Sequence, residues 1–303
     1  MTRMMNAAAP IRLFDSATRR VSALPPSTPN APTVRIARAA LAGTAPTLRE
    51  LRVALFADSL SRHLAWRGYR VRTVPGGASA APSSSEVGPP HCAFGASCVH
   101  VHLDQDDRAP HEPVCGEDSD APTWHVLIGP VNLYRFSTAC HARRDWHRER
   151  RPPNLADLTA AEVPLHDLQL GLYAAAHHRH ALSMPCHALH VGCCFDALSV
   201  ALRRFRGHVR RLGAQLPQVA SYAEAQALLS DDGRVVLADV DAALSENLHG
   251  QRAFMALYRA QRTKALPARD RAILAAVTSG LGVAVLTPEP VPAPRPAPGL
   301  GAR

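Results

Sequence analysis

The spacing of hydrophobic positions changes along this chain. Before residue 154 apolar side chains recur mostly every second residue, as in half-buried strands; beyond it they recur every third and fourth, as in helices. The first half predicts a short entry strand over 11–15, a turn or second short strand over 16–24, and a Pro/Ser/Asn linker over 25–32. A strand follows over 34–38. Residues 48–67 then place Leu48, Leu51, Leu55, Leu60 and Leu64 near helical spacing, with Gly68 as the stop. Further strands are predicted over 69–74, 98–103 and 124–131. Between them lie a Gly/Ala/Ser/Pro loop over 75–90 and an acidic turn over 104–120, and a polar Arg/His-rich loop follows over 137–153. The second half predicts helices over 165–178, 187–212, 221–229, 239–262 and 267–280, with Pro185, Pro217 and Gly233 as breakers. Pro267 opens the last, because proline lacks only an N–H that a first helical turn leaves unbonded. The Pro-rich residues after 286 predict a disordered tail, and no internal repeat is visible.

Composition narrows the class. A chain of 303 residues can bury one good core and a smaller second one. No run approaches the roughly 18 apolar residues of a spanning helix, so no membrane role is expected. The first residues carry no long apolar region, and the seven cysteines are odd in number. Reduced thiols and a cytoplasmic location are the resulting expectation. The formal charge of +9 suits nucleic-acid contact, but Lys264 is the only lysine. Arginine excess beside abundant Ala and Pro fits the codon bias of a GC-rich genome and spreads over any surface.

Several clusters invite chemical readings. Cys92, Cys98, His100, His102, His111 and Cys115 supply soft ligands dense enough for zinc, against the alternative of small packed thiols and exposed histidines. Cys193 and Cys194 fall in a predicted helix, where adjacent residues point about 100° apart; core packing fits them better than redox or chelation. His177, His178, Arg179 and His180 offer phosphate or RNA contact, or a structural helix end. Arg203, Arg204, Arg206, Arg210 and Arg211 form the densest basic run, on the plainer reading a solvated helix face. Asp104, Asp106, Asp107 and Glu112 read as an exposed acidic turn more readily than as an acid/base pair. No Gly-rich phosphate loop follows a strand.

Four stretches carry a family resemblance. Residues 11–20 (IRLFDSATRR), 57–72 (ADSLSRHLAWRGYRVR), 168–179 (LQLGLYAAAHHR) and 243–254 (ALSENLHGQRAF) resemble, in order and spacing, segments of cysteinyl-tRNA synthetase and its relative, the cysteine ligase of mycothiol biosynthesis. The resemblance implies a class I synthetase fold, an α/β Rossmann-like parallel sheet followed by a C-terminal α-helical bundle. The implied division is 10–160, 161–287 and a tail at 288–303. It also implies ATP and zinc as cofactors, and an amino acid or tRNA as partner, with neither membrane nor DNA.

The departures from that family fall on its chemistry. The His-x-Gly-His signature that cradles ATP phosphates would lie on Thr47, Leu48, Arg49 and Glu50, with both histidines and the glycine replaced. Glu50 would repel a triphosphate. The lysine loop would lie near 137–141, which holds no lysine; Arg143, Arg144 or Arg148 could supply charge but not the same geometry. The first zinc cysteine would fall near Arg38. Cys92, His111 and Glu112 resemble surviving fragments of that site, and Cys115 lies beside them. The expectation is a pseudoenzyme that acts by binding. The alternatives are a diverged ATP-dependent cysteine or amino-acid ligase, with Arg143 and Arg144 on phosphate, or a tRNA-binding accessory protein using Arg204 and Arg211.

Overall fold

The computed structural model describes residues 10–15, 18–26, 34–39, 47–76, 98–103, 123–129, 131–134, 172–173, 179–180, 182–185, 204, 217–263 and 265–281. Within them the chain is mixed α/β. Strands β1 (Arg12–Asp15) and β2 (Arg20–Ala23) form an antiparallel hairpin. Strands β3 (Val34–Ala39), β4 (Val71–Gly76), β5 (Cys98–Leu103) and β6 (Thr123–Ile128) form a parallel sheet in the order β4-β3-β5-β6.

Buried residues recur every second position: Val34 and Ile36, Val99 and Val101, Val126 and Ile128. That places them on one sheet face. Helix α1 (Leu48–Trp66) contacts all four of these strands. Its buried set is wider than the predicted leucine stripe. Leu51 and Leu55 are half-buried, whereas Val53, Phe56, Leu60 and Leu64 are buried together with Arg52, Ser59 and His63. A helix covered on two sides has little solvent face left for its polar residues.

The helix ends where Gly68 predicts. Gly68 takes φ 85°, its N–H donates to Ala65 O at 2.9 Å, and the Tyr69 N–H donates to Leu64 O at 3.0 Å. This is the paired-bond stop that favours glycine after a helix. Tyr69 and Arg70 therefore complete the turn, and β4 begins two residues later than expected.

The single strand expected over 124–131 is two. After β6 the chain breaks at Gly129 and resumes as β7 (Val131–Tyr134), which pairs in parallel with β8 (Leu182–Pro185). A strand at β8 was not anticipated, since Pro185 reads only as a breaker. Proline is tolerated in a two-stranded pair, where one side of the strand needs no ladder donor.

The C-terminal part is helical: α2 (Tyr222–Leu228), α3 (Asp231–Ser245), α4 (Gly250–Arg262) and α5 (Ala268–Gly280). Two expectations change here. The helix predicted over 239–262 is two helices, broken at Asn247 and Leu248, both with positive φ (59° and 52°). Asn247 is held there by β1: its side-chain oxygen accepts from Phe14 N at 2.9 Å, and its N–H donates to Arg12 O at 2.8 Å. Gly233 is no breaker; it lies in the first turn of α3. A Cβ there would lie 2.4 Å from the Asp270 carboxylate, which accepts from the Ser230 hydroxyl capping the same helix. Pro267 stands one position before α5, as its N-cap.

One hydrophobic cluster runs from the parallel sheet through α1 into α3, α4 and α5. Of the helices predicted over 165–178 and 187–212, Leu172, Tyr173 and Arg204 are described, all helical. The loops over 77–90, 104–120 and 137–153 and the tail after 286 lie outside the described residues. Among the described residues no helix is long and apolar enough to cross a membrane.

Candidate functional site at the start of the long helix

The chain runs from β3 into α1 and β4 on one side, then crosses β3 to form β5 on the other. In open parallel sheets the crevice beyond the carboxyl ends of two such diverging strands is the usual ligand position, with the helix N-terminus supplying free N–H groups for an anion. Here that N-terminus is Thr47 to Glu50.

Two of its backbone donors, those of Thr47 and Glu50, are bonded within the cap. The Thr47 hydroxyl accepts from Glu50 N at 3.2 Å, and Glu50 Oε2 accepts from Thr47 N at 2.7 Å and from the Thr47 hydroxyl at 2.8 Å. This is a capping box, reciprocal between the N-cap residue and the third residue of the helix. The carboxylate also places negative charge at the positive end of the helix dipole. Leu48 is buried, and Arg49 is half-buried with its Nε enclosed and without a hydrogen-bond partner.

One turn on, Arg52 is fully buried. Its Nη1 donates to Gly129 O at 2.7 Å and His180 O at 2.8 Å, and its Nε donates to Leu172 O at 3.2 Å. Burial lowers its pKa to about 10, so it stays protonated at neutral pH. One side chain thus ties α1 to the end of β6 and to two later segments. The backbones meet closely: a Cβ on Gly129 would lie 2.4 Å from His180 O. Arg179 stacks over the Phe14 ring at 3.6 Å, joining the same segment to β1.

At the far end of α1 a buried polar group faces α3. Arg67 Nη1 lies 2.6 Å from Asp241 Oδ2, and His63 Nε2 lies 3.1 Å from Asp241 Oδ1. Arg67 also donates to the Ser245 hydroxyl at 3.3 Å and lies over the Tyr222 ring at 5.4 Å. Burial holds His63 below the usual histidine range, against the hydrogen bond and charge of Asp241; the Arg67 charge lowers it further. Its Nδ1 is enclosed without a partner. Among the described residues no hydroxyl or thiol bonds to His63, and Ser245 bonds to Arg67 instead. The group joins the end of α1 to α3.

Midway along α1, the Ser59 hydroxyl donates to Leu281 O at 3.3 Å and takes the Tyr173 hydroxyl at 2.7 Å. Burial raises the Tyr173 pKa to about 12, partly offset by the bond to Ser59.

Of the residues singled out by sequence, Thr47, Leu48, Arg49 and Glu50 come together as this cap. Arg204 is helical and exposed. Arg143, Arg144, Arg211, Cys92, His111, Glu112 and Cys115 lie outside the described residues. Among the described residues no three His, Cys, Asp or Glu side chains cluster as metal ligands. Arg52, His63 and Asp241 escaped the sequence reading. The available signal was polar side chains at 52, 59 and 63, on the helical spacing of the buried Phe56.

No protein-family model matches the chain, and neither does any curated protein. Among solved structures it is similar to the arginyl-tRNA synthetase of Thermus thermophilus, with TM-score 0.32 and 12% identity over 75% of this chain and 48% of that one. The chain therefore spans about half the length of that enzyme. A likeness of this size leaves the fold to be described by its own topology.

Proposed function

We propose that the chain is a cysteinyl-tRNA synthetase-like protein, with a Rossmann-like unit over 10–160 and a helical bundle over 161–287, that no longer adenylates cysteine and acts by binding. The observation that carries this reading is the capping box. Glu50 sets its own carboxylate on the N-cap of the helix, at the end where such a scaffold would hold phosphate. A triphosphate there would have to displace that carboxylate and then sit beside it. The lack of any lysine but Lys264 supports the same reading. The expected partner is an amino acid or a tRNA. ATP–pyrophosphate exchange with cysteine and the purified full chain tests this: no exchange above background is expected, with or without zinc. Robust cysteine-dependent exchange would overturn it.

A second reading, a diverged ATP-dependent amino-acid ligase, is favoured by Arg49. A cation in the first turn of a helix opposes the dipole, and the enclosed Nε of Arg49 lacks a partner. A bound anion would relieve both. Thermal-shift measurements with Mg-nucleotides decide this reading: a saturable rise in Tm that is lost in Arg49→Ala supports it, and no shift removes it.

A further inference from the structure

Helices α3 and α4, joined by only a short turn, leave an open groove of about 860 Å³. Its floor is apolar, with Val236, Met255 and Leu266, and its two walls carry opposite charge. Asp232 and Asp239 line it from α3; Arg252 and Arg259 line it from α4; all four are exposed. Among the described residues Asp232, Asp239 and Arg259 have no ion-pair partner, and Arg252 reaches only the exposed Glu246 at 3.3 Å.

The spacing of these charges is matched. Asp232 and Asp239 are seven residues apart, as are Arg252 and Arg259. Two helical turns separate each pair by about 10 Å along its axis. Val236 lies between the acids, and Met255 between the arginines. Beside the groove Val235 is 63% exposed, a large apolar side chain left uncovered.

We propose that this face docks a second copy of the chain about a two-fold axis, with α3 of each copy lying along α4 of the other. A surface that carries an acidic row and a basic row of equal period, divided by an apolar floor, is complementary to itself, as an isologous interface requires. A nucleic acid would meet the acidic row, and an anionic membrane would meet it too. The two-fold arrangement pairs both rows at once.

Sedimentation velocity of the full chain over a concentration series tests this with two variants. Asp232→Arg with Asp239→Arg makes both walls basic; Arg252→Glu with Arg259→Glu makes both acidic. The unchanged chain is expected to dimerise with concentration, and each variant alone to remain monomeric. An equimolar mixture of the two is expected to recover the dimer, because each opposed pair of walls is again of opposite sign. Circular dichroism checks that the variants fold. Asp232 also favours the start of α3, so if the reversals unfold the chain, Asp232→Asn with Asp239→Asn takes their place. That variant is expected to raise the dimer dissociation constant about tenfold. A monomer at every concentration, a dimer that the variants leave unchanged, or a mixture that stays monomeric would overturn the proposal.

Discussion

Arg67 and Asp241, far apart in sequence, meet at 2.6 Å where the long helix packs on α3, and the same carboxylate bonds His63 at 3.1 Å. Asp241 is 3% exposed, so water offers little replacement for either partner. Removing one member of a buried ion pair leaves the other charge uncompensated. Asp241→Ala is therefore expected to cost about 3–5 kcal/mol of stability, read from the midpoint of denaturant unfolding at unchanged slope. A loss below about 1 kcal/mol, the range of exposed pairs, would show that the group is solvated.

His63 gives this joint a pH dependence. Its folded pKa lies below the ordinary 6.5, with burial the largest cause. The unfolded chain therefore binds the proton more readily, and stability falls as pH drops below about 6.5 until the folded form also protonates. Above that value the contribution is flat. Unfolding curves between about pH 7.5 and 5 are expected to show the loss in the unchanged chain and a shallower one in His63→Leu. Parallel slopes would place the titration elsewhere among the 16 histidines.

Arg52 holds three carbonyl groups, one at the end of β6 and two from later stretches of chain. Arg52→Met fills much of the volume but leaves those carbonyls without their donor, each a buried acceptor worth about 1–3 kcal/mol. Loss of about 3 kcal/mol or more is expected, with faster hydrogen exchange around Gly129. Arg52→Lys is expected to recover only part of it, because an ammonium cannot reproduce the planar fork.

Gly129→Ala tests the close approach beside Arg52. The new Cβ would lie 2.4 Å from His180 O, a backbone atom that cannot swing away. A loss of about 1–3 kcal/mol in denaturant unfolding is expected, the usual result of overpacking. A neutral outcome would mean that the 179–180 segment moves freely.

Much of the local architecture was legible in the sequence because it rests on local chemistry. Thr47 begins α1 and Gly68 ends it through bonds within a few residues, and the buried valines of β3 and β5 announce themselves by their alternation. What was hidden depends on distant partners. Asn247 and Gly250 are only weak local turn signals; bonds to β1 hold the break there. Gly129 reads as an ordinary strand residue until His180 lies against it, and Gly233 reads as a breaker until Asp270 does. The same holds at the site. The absence of histidine and glycine from residues 47–50 was visible in the sequence, whereas the use of Thr47 and Glu50 as a reciprocal cap required the geometry. Arg52 and His63 looked like the polar side of an amphipathic helix because nothing local shows that α1 is covered on two faces.

The Glu50 carboxylate bonds the N-cap of α1, and the proposed loss of adenylation rests on the repulsion it would offer a nucleotide there. Isothermal titration of the full chain with Mg-ATP measures this directly. The expected result is no saturable heat for the unchanged chain, with Thr47→Ala destabilised by about 0.5–2 kcal/mol through loss of the cap. Saturable ATP binding to the unchanged chain that weakens in Arg49→Ala and strengthens in Glu50→Gln would contradict it, because phosphate would then share the place assigned here to the Glu50 carboxylate.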